Sequence, residues 1–251
     1  MATSQKPIDS GFSAAGFAPS ALTRCAVLTA LAFPLSTLFT RNSIAVAGAG
    51  LRCLQEPARV IPVLIAAWTI ALPLLLSSLV FDKPSLGSFG LKKISLIDLA
   101  LAILGFIINY YLVFWSYGLI AQTGLRMISI DFGRASTRLR WAVLLTGGIA
   151  EEFIFRGYLI ERVVSWTGRI SVAVICSCIV FFLWHVPLWG IGSAICIGVS
   201  SSVFALLYGW RRNLPACMLM HGLCDAYGLA LVPAFQTPGR DLIKRFYITG
   251  L

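Results

Sequence analysis

The sequence predicts an all-α fold, a polytopic bundle of transmembrane helices, and three observations carry that expectation. The 251-residue chain is 58% hydrophobic and only 12% charged, too little polar surface for a water-soluble domain of this length. From residue 60 onward, apolar runs of about 20 residues recur, each long enough to cross ~30 Å of hydrocarbon. The runs are continuous rather than alternating, which fits helices and excludes barrel strands, the other backbone that lipid tolerates. A mean hydropathy of +0.86 agrees.

Residues 1–20 are rich in Ser, Ala, Gly and Pro and read as a disordered tail. An apolar stretch from Ala21 to Thr40 follows, interrupted by Arg24 and Pro34, then Arg41, Asn42 and the small-residue run Ala45-Val46-Ala47. This order of basic residue, apolar core and A-x-A resembles a cleavable signal peptide. An interfacial amphipathic helix or an extra span over 21–58 is the alternative, and both stay open. Six spans are expected at Val60–Phe81, Leu96–Ala121, Trp141–Ile160, Ile170–Trp189, Ile191–Trp210 and Leu214–Phe235. The N-terminal segment raises the count to seven or eight helices if it lies in or on the membrane. The first two spans fall in 59–140, the other four form a core over 141–235, and 236–251 is a tail. Trp141, Trp189, Tyr208 and Trp210 sit at span ends, as an interfacial belt requires. Small residues crowd the fifth span (Gly192, Ser193, Ala194, Gly198 and Ser200 to Ser202) and allow close helix approach.

The net charge is +10, yet Lys and Arg stand singly between apolar runs. No basic helix face or aromatic-basic cluster exists, so nucleic acid is excluded as a partner. The loop Gln122–Arg140 carries four arginines against Asp131, and the tail adds Arg240, Lys244 and Arg245 against Asp241. With an even number of spans both share the N-terminal side, which the positive-inside rule makes cytoplasmic. Lys92, Lys93, Arg211 and Arg212 on the other side weaken that bias. The expected placement is a multi-pass protein of a bacterial inner (plasma) membrane with a cytoplasmic C-terminus. Seven cysteines, an odd number without any C-x-x-C, indicate neither a disulfide framework nor a zinc knuckle.

Well inside the spans stand Glu151, Glu152, Arg156, His185, His221 and Asp225; Asp98, Glu161 and Arg162 lie near span ends, where water is expected to reach them. A charge at mid-bilayer costs on the order of 3 kcal/mol or more, so such groups face the bundle interior and mark function. Glu152 and Arg156 are four apart, a ready ion pair on one helix face. That structural role leaves Glu151, about 100° around the helix, without a task. In "FFLWHVPLW" Phe181 and His185 share a face and Pro187 loosens the helix after them; a histidine bonded to backbone near a span end is the plainer reading. In "HGLCD" His221 and Asp225 share a face, and the carboxylate alone would suffice to fix the imidazole tautomer. With straight spans, His185 lies nearer one membrane face than Glu151 and His221 nearer the other. Burying all these groups is costly unless they converge on one cavity.

The ordered set Glu151-Glu152-x-x-x-Arg156, Phe181-x-x-x-His185 and His221-x-x-x-Asp225 resembles the CPBP (Abi) family of intramembrane proteases. That family includes type II CAAX prenyl endopeptidases and bacteriocin-processing or immunity-associated proteins. The resemblance covers Trp141 to Phe235. It implies a membrane-embedded endopeptidase in which Glu151 is the general base with His185, activating water. His221 and Asp225 then face the tetrahedral oxyanion, while Glu152, Arg156 and Phe181 support them. One departure matters: the family often has asparagine where Asp225 stands, and an aspartate donates a hydrogen bond only when protonated. An ionised Asp225 instead favours a cation, and with Glu151, Glu152, His185 and His221 it offers a zinc ligand set. The missing H-E-x-x-H favours the metal-free route, and Zn2+ stays open as a cofactor. The implied partners are a peptide or protein substrate at the membrane and the lipid bilayer; oligomeric state is not specified. A non-enzymatic scaffold, an immunity protein or a proton-coupled transporter is the rival class, although the repeated halves common in transporters are missing.

Overall fold

The computed structural model describes residues 57–82, 86–128, 130 and 132–231. The expected N-terminal tail, the signal-like segment up to residue 56 and the C-terminal tail lie outside these residues. Among the described residues the chain is helical, with no strand. Helix α1 is Ile61–Ser77, entered by a tight turn at Pro57–Val60 and left by a wide turn at Ser78–Asp82. Helix α2 is Leu96–Ala121, the expected bounds. It starts where it does because Ser95 and Asp98 form a reciprocal capping box, satisfying two otherwise orphaned amides.

Helix α3 runs over residues 137–167. Ser136 caps it by accepting from the Leu139 amide, four residues or so ahead of the start expected at Trp141. Gly168, at φ 68°, ends it in the left-handed conformation that glycine adopts without strain. Its middle, Thr146–Glu151 and Phe153–Ile160, is wound in wide i→i+5 turns, a departure from α geometry that recurs at functional sites.

The helical run Ile170–Arg211 breaks at Gly190 (φ 73°, ψ 163°), three residues after Pro187. We label its halves α4 (170–189) and α5 (191–211). They double back on each other: a methyl at Gly209 would lie 3.0 Å from Val174, and one at Gly198 3.5 Å from Phe182. The break frees backbone groups that lipid cannot satisfy, and the segment before α3 supplies their partners. The Ile128 amide donates to the Trp189 carbonyl (3.1 Å) and the Gly192 amide to that of Arg126 (3.0 Å). Ser193 Oγ donates to the Ile128 carbonyl. Helix α6, Leu214–Ala226, is capped by Asn213 and continues into a wide turn at Tyr227–Leu231.

Three helical runs are long and apolar enough to cross a membrane: Pro57–Val80, Leu96–Ala121 and Ile170–Arg211, the last containing the break. The expectation of six spans is thus met only in part. The cause lies in the chain itself, since α3 carries Glu151, Glu152 and Arg156 in its middle and α6 has 13 residues.

Asp98, Glu161 and Arg162, expected within reach of water, are instead buried at 4%, 8% and 5% exposure. Asp98 accepts from Arg211 Nε (2.7 Å) and from Asn213 Nδ2 (3.1 Å). Glu161 accepts from Tyr208 and Arg212, and Arg162 donates to Ser78 and lies over the Tyr158 ring. Helix packing, not solvent, neutralises them, as buried polar groups require.

Candidate active site

Arg156 joins three helices. It is fully buried; Nη1 donates to Glu152 Oε1 at 2.9 Å, while Nη2 donates to the Ser201 hydroxyl and carbonyl at 2.9 and 3.2 Å. Its guanidinium also lies over Phe181 (4.5 Å) and Phe204 (5.3 Å). A buried cation needs such neighbours, a carboxylate, neutral acceptors and ring faces; only Nε is left without a partner.

The same carboxylate reaches α6. His221 Nδ1 lies 2.7 Å from Glu152 Oε1, and its ring stacks on Phe204 at 4.8 Å and 11°. The sequence suggested that Asp225 would hold this ring. Glu152 does so instead, and Asp225 Oδ1 stands 3.8 Å from Nε2, too far for a direct hydrogen bond. With Nδ1 committed, Nε2 points toward the remaining acidic groups.

His185 Nδ1 lies 2.8 Å from the Phe181 carbonyl. A carbonyl only accepts, so Nδ1 carries the hydrogen there, and Nε2 of the neutral ring offers a lone pair. Nε2 lies 3.9 Å from Glu151 Oε2. His185 is thus bonded to backbone, as in the plainer reading, and also turned to the glutamate. Whatever their depth along straight spans, Glu151, His185 and His221 line one cavity.

Gly147 makes the convergence possible. A Cβ there would lie 2.5 Å from Asp225 Oδ2 and 3.1 Å from His221 Nε2, and one at Gly148 would press on the Met218 carbonyl at 3.4 Å. Helix α6 rests on this pair of glycines, as small residues allow between membrane helices.

Glu151, His185, His221 and Asp225 line one cavity of about 470 Å³, within the usual size of ligand sites. Its far wall is a single face of α2, with Phe106, Tyr110, Phe114 and Tyr117 at helical spacing and Asn109 among them. The site is a small polar group set in a long apolar slot.

Residues 135–227 match the model of the type II CAAX prenyl endopeptidase Rce1-like family. This is a protease family. No curated protein and no solved structure matches the chain. The Rce1-like segment begins just ahead of α3 and ends just after α6, so it contains all three polar constellations and none of α1 or α2. The apolar helices and this likeness are those of an integral membrane protein with a segment similar to a protease family.

Within the Rce1-like segment, sequence reasoning missed Gly147, Ser201 and Phe204. Gly147 opens the stretch "GGIAEEFIFRG" and was legible as a glycine beside the glutamates. Ser201 was visible only as a member of the small-residue run, and nothing in the sequence marked Phe204. Among the described residues no three His, Cys, Asp or Glu side chains are arranged to hold a metal ion. Glu152 gives Oε1 to both Arg156 and His221. As arranged, the five expected donors do not fit zinc.

Proposed function

We propose that the chain is a CAAX-type intramembrane endopeptidase that hydrolyses a peptide bond of a membrane-associated peptide with water activated by Glu151 and His185. The observation that carries this is the meeting of Glu151, His185, His221 and Asp225, from three separate segments, on one cavity. The 3.9 Å between Glu151 and His185 suits a water that gives one hydrogen to each, because the carboxylate and the Nε2 lone pair both accept. Water oxygen attacks the scissile carbonyl carbon and its proton passes to Glu151. The C–N bond then breaks as Glu151 returns the proton to the leaving amine, giving one new carboxyl and one new amino terminus.

Charge builds on the carbonyl oxygen during attack, and fixed donors stabilise it strongly in a dry site. His221 in its imidazolium form donates Nδ1–H to Glu152 and Nε2–H to that oxygen. Asp225 in its acid form supplies a second donor. Glu152 and Arg156 act as positioning residues, because they hold His221 rather than touch the reacting atoms.

The test is proteolysis by the purified chain in liposomes, against a mixture of farnesylated C-a-a-X peptides and unprenylated membrane peptides read by mass spectrometry. Glu151→Gln, His185→Ala and His221→Ala are each expected to lose cleavage at normal expression. Undiminished cleavage by Glu151→Gln ends this reading. Chelator followed by zinc add-back is expected to change nothing.

A further inference from the structure

Phe204 stands on α5 three residues after Ser201, a spacing that puts both on one face of the helix. Ser201 accepts from Arg156, and Phe204, 2% exposed, lies under the same guanidinium at 5.3 Å. The Phe204 ring also meets the His221 imidazole face to face, 4.8 Å between centroids and 11° from parallel. Both side chains line the cavity. Phe181, a second ring beside His221, is farther and tilted, at 6.5 Å and 62°.

An imidazole has no sharp torsional minimum of its own about its bond to Cβ, so neighbours set its plane. The contact to Glu152 at 2.7 Å fixes Nδ1 of His221 and leaves the ring able to pivot about that atom. Asp225, 3.8 Å from Nε2, is too far to stop the pivot by a hydrogen bond. A flat neighbour does stop it, because tilting an imidazole off a parallel ring loses contact along its whole face. We infer that Phe204 is a positioning residue: stacked on His221, it sets the imidazole plane and so aims Nε2 at the carbonyl oxygen under attack. This rests on the endopeptidase reading. Glu152 sets where the ring sits, and Phe204 sets how it is turned. The Nε2 edge stands over Gly147, where a Cβ would lie 3.1 Å away, so the glycine provides room and Phe204 provides direction.

The experiment takes the most rapidly cleaved peptide of the mixture and compares wild type, Phe204→Leu, Phe204→Met and Phe204→Tyr in liposomes. Rates are taken per folded molecule, and Tm is read alongside. Leucine and methionine fill the site with apolar atoms but offer no flat face; tyrosine keeps the face. The Leu and Met variants are each expected to lose about 10-fold or more in kcat, with KM within about twofold of wild type. The split arises because the aim of Nε2 matters only as charge builds on the carbonyl oxygen. Phe204→Tyr is expected to recover most of that kcat. Should its hydroxyl destabilise the fold, the kcat and KM of the other two variants decide. A purely structural phenylalanine would lower Tm while each folded molecule turned over at the wild-type rate, and that result overturns the assignment. So does a KM that rises at unchanged kcat, or a Phe204→Tyr of normal Tm that is as slow as Phe204→Leu. Each of these leaves the protease reading intact. Absence of cleavage by wild type across the peptide mixture sinks the protease reading and this assignment with it.

Discussion

At the Asp98 end of the bundle every buried carboxylate is held in direct contact, whereas at the Glu151 end the side chains stop just short of one another. Asp98 takes Arg211 at 2.7 Å, Ser95 Oγ at 2.7 Å and Asn213 at 3.1 Å, and Glu161 takes Tyr208 and Arg212. In the cavity, Glu151 and His185 are 3.9 Å apart and His221 and Asp225 3.8 Å. Asp98, Glu161, Glu151, His185 and His221 are all buried, so burial alone does not distinguish the two sets. Saturation does. The first cluster has partners in place and ties α2, α3, α5 and α6 together, while the second leaves gaps of 3.9 and 3.8 Å between its side chains. Glu152 stands at the seam, at 2.9 Å from Arg156 and 2.7 Å from His221, and hands the rigidity of one type to the other.

Four substitutions separate the two clusters. Glu151→Gln is expected to lower turnover by ~10²–10⁴-fold, the range for a general base, with no change of Tm in detergent. A large fall in Tm would move Glu151 into the structural class. Glu152→Ala leaves the Arg156 cation buried without its carboxylate and frees His221, so thermal unfolding should show a loss of about 3–5 kcal/mol, together with lost cleavage. A variant of wild-type stability would show that the Ser201 and ring contacts suffice for Arg156.

Gly147→Ala pushes a methyl into Asp225 and His221. A displacement of that size costs about 10²-fold in rate, and kcat/KM measured on folded protein is the check; full activity would mean that α6 shifts freely. Asp98→Asn should be the mildest in function. It weakens the contacts to Arg211 and Asn213 and lowers stability by about 1–3 kcal/mol, while turnover per folded molecule stays at the wild-type value. Slowed turnover at unchanged Tm would erase the distinction between the clusters.

Much of this was legible in the sequence. The α2 bounds follow from hydropathy with a capping serine ahead of them, and the break at Gly190 falls between the fourth and fifth expected spans. The Glu152–Arg156 pair follows from i,i+4 spacing. The burial of Asp98, Glu161 and Arg162 was not legible, because their partners Arg211, Arg212 and Ser78 come from distant helices. For the same reason the plainer reading of "HGLCD" paired His221 with Asp225, its neighbour along the helix, when Glu152 lies 69 positions away.

Local properties are readable along the chain: apolar runs that must be helices in lipid, residue types able to move a proton, and their pairing within one helix. Which helices meet depends on contacts across the bundle, at the glycines 147 and 148 where α6 rests on α3 and in the doubling back of α5 on α4. Hydropathy and period act over a turn or two of chain. A cavity is made by contacts between turns far apart, and those depend on how wide turns and a broken helix aim each side chain.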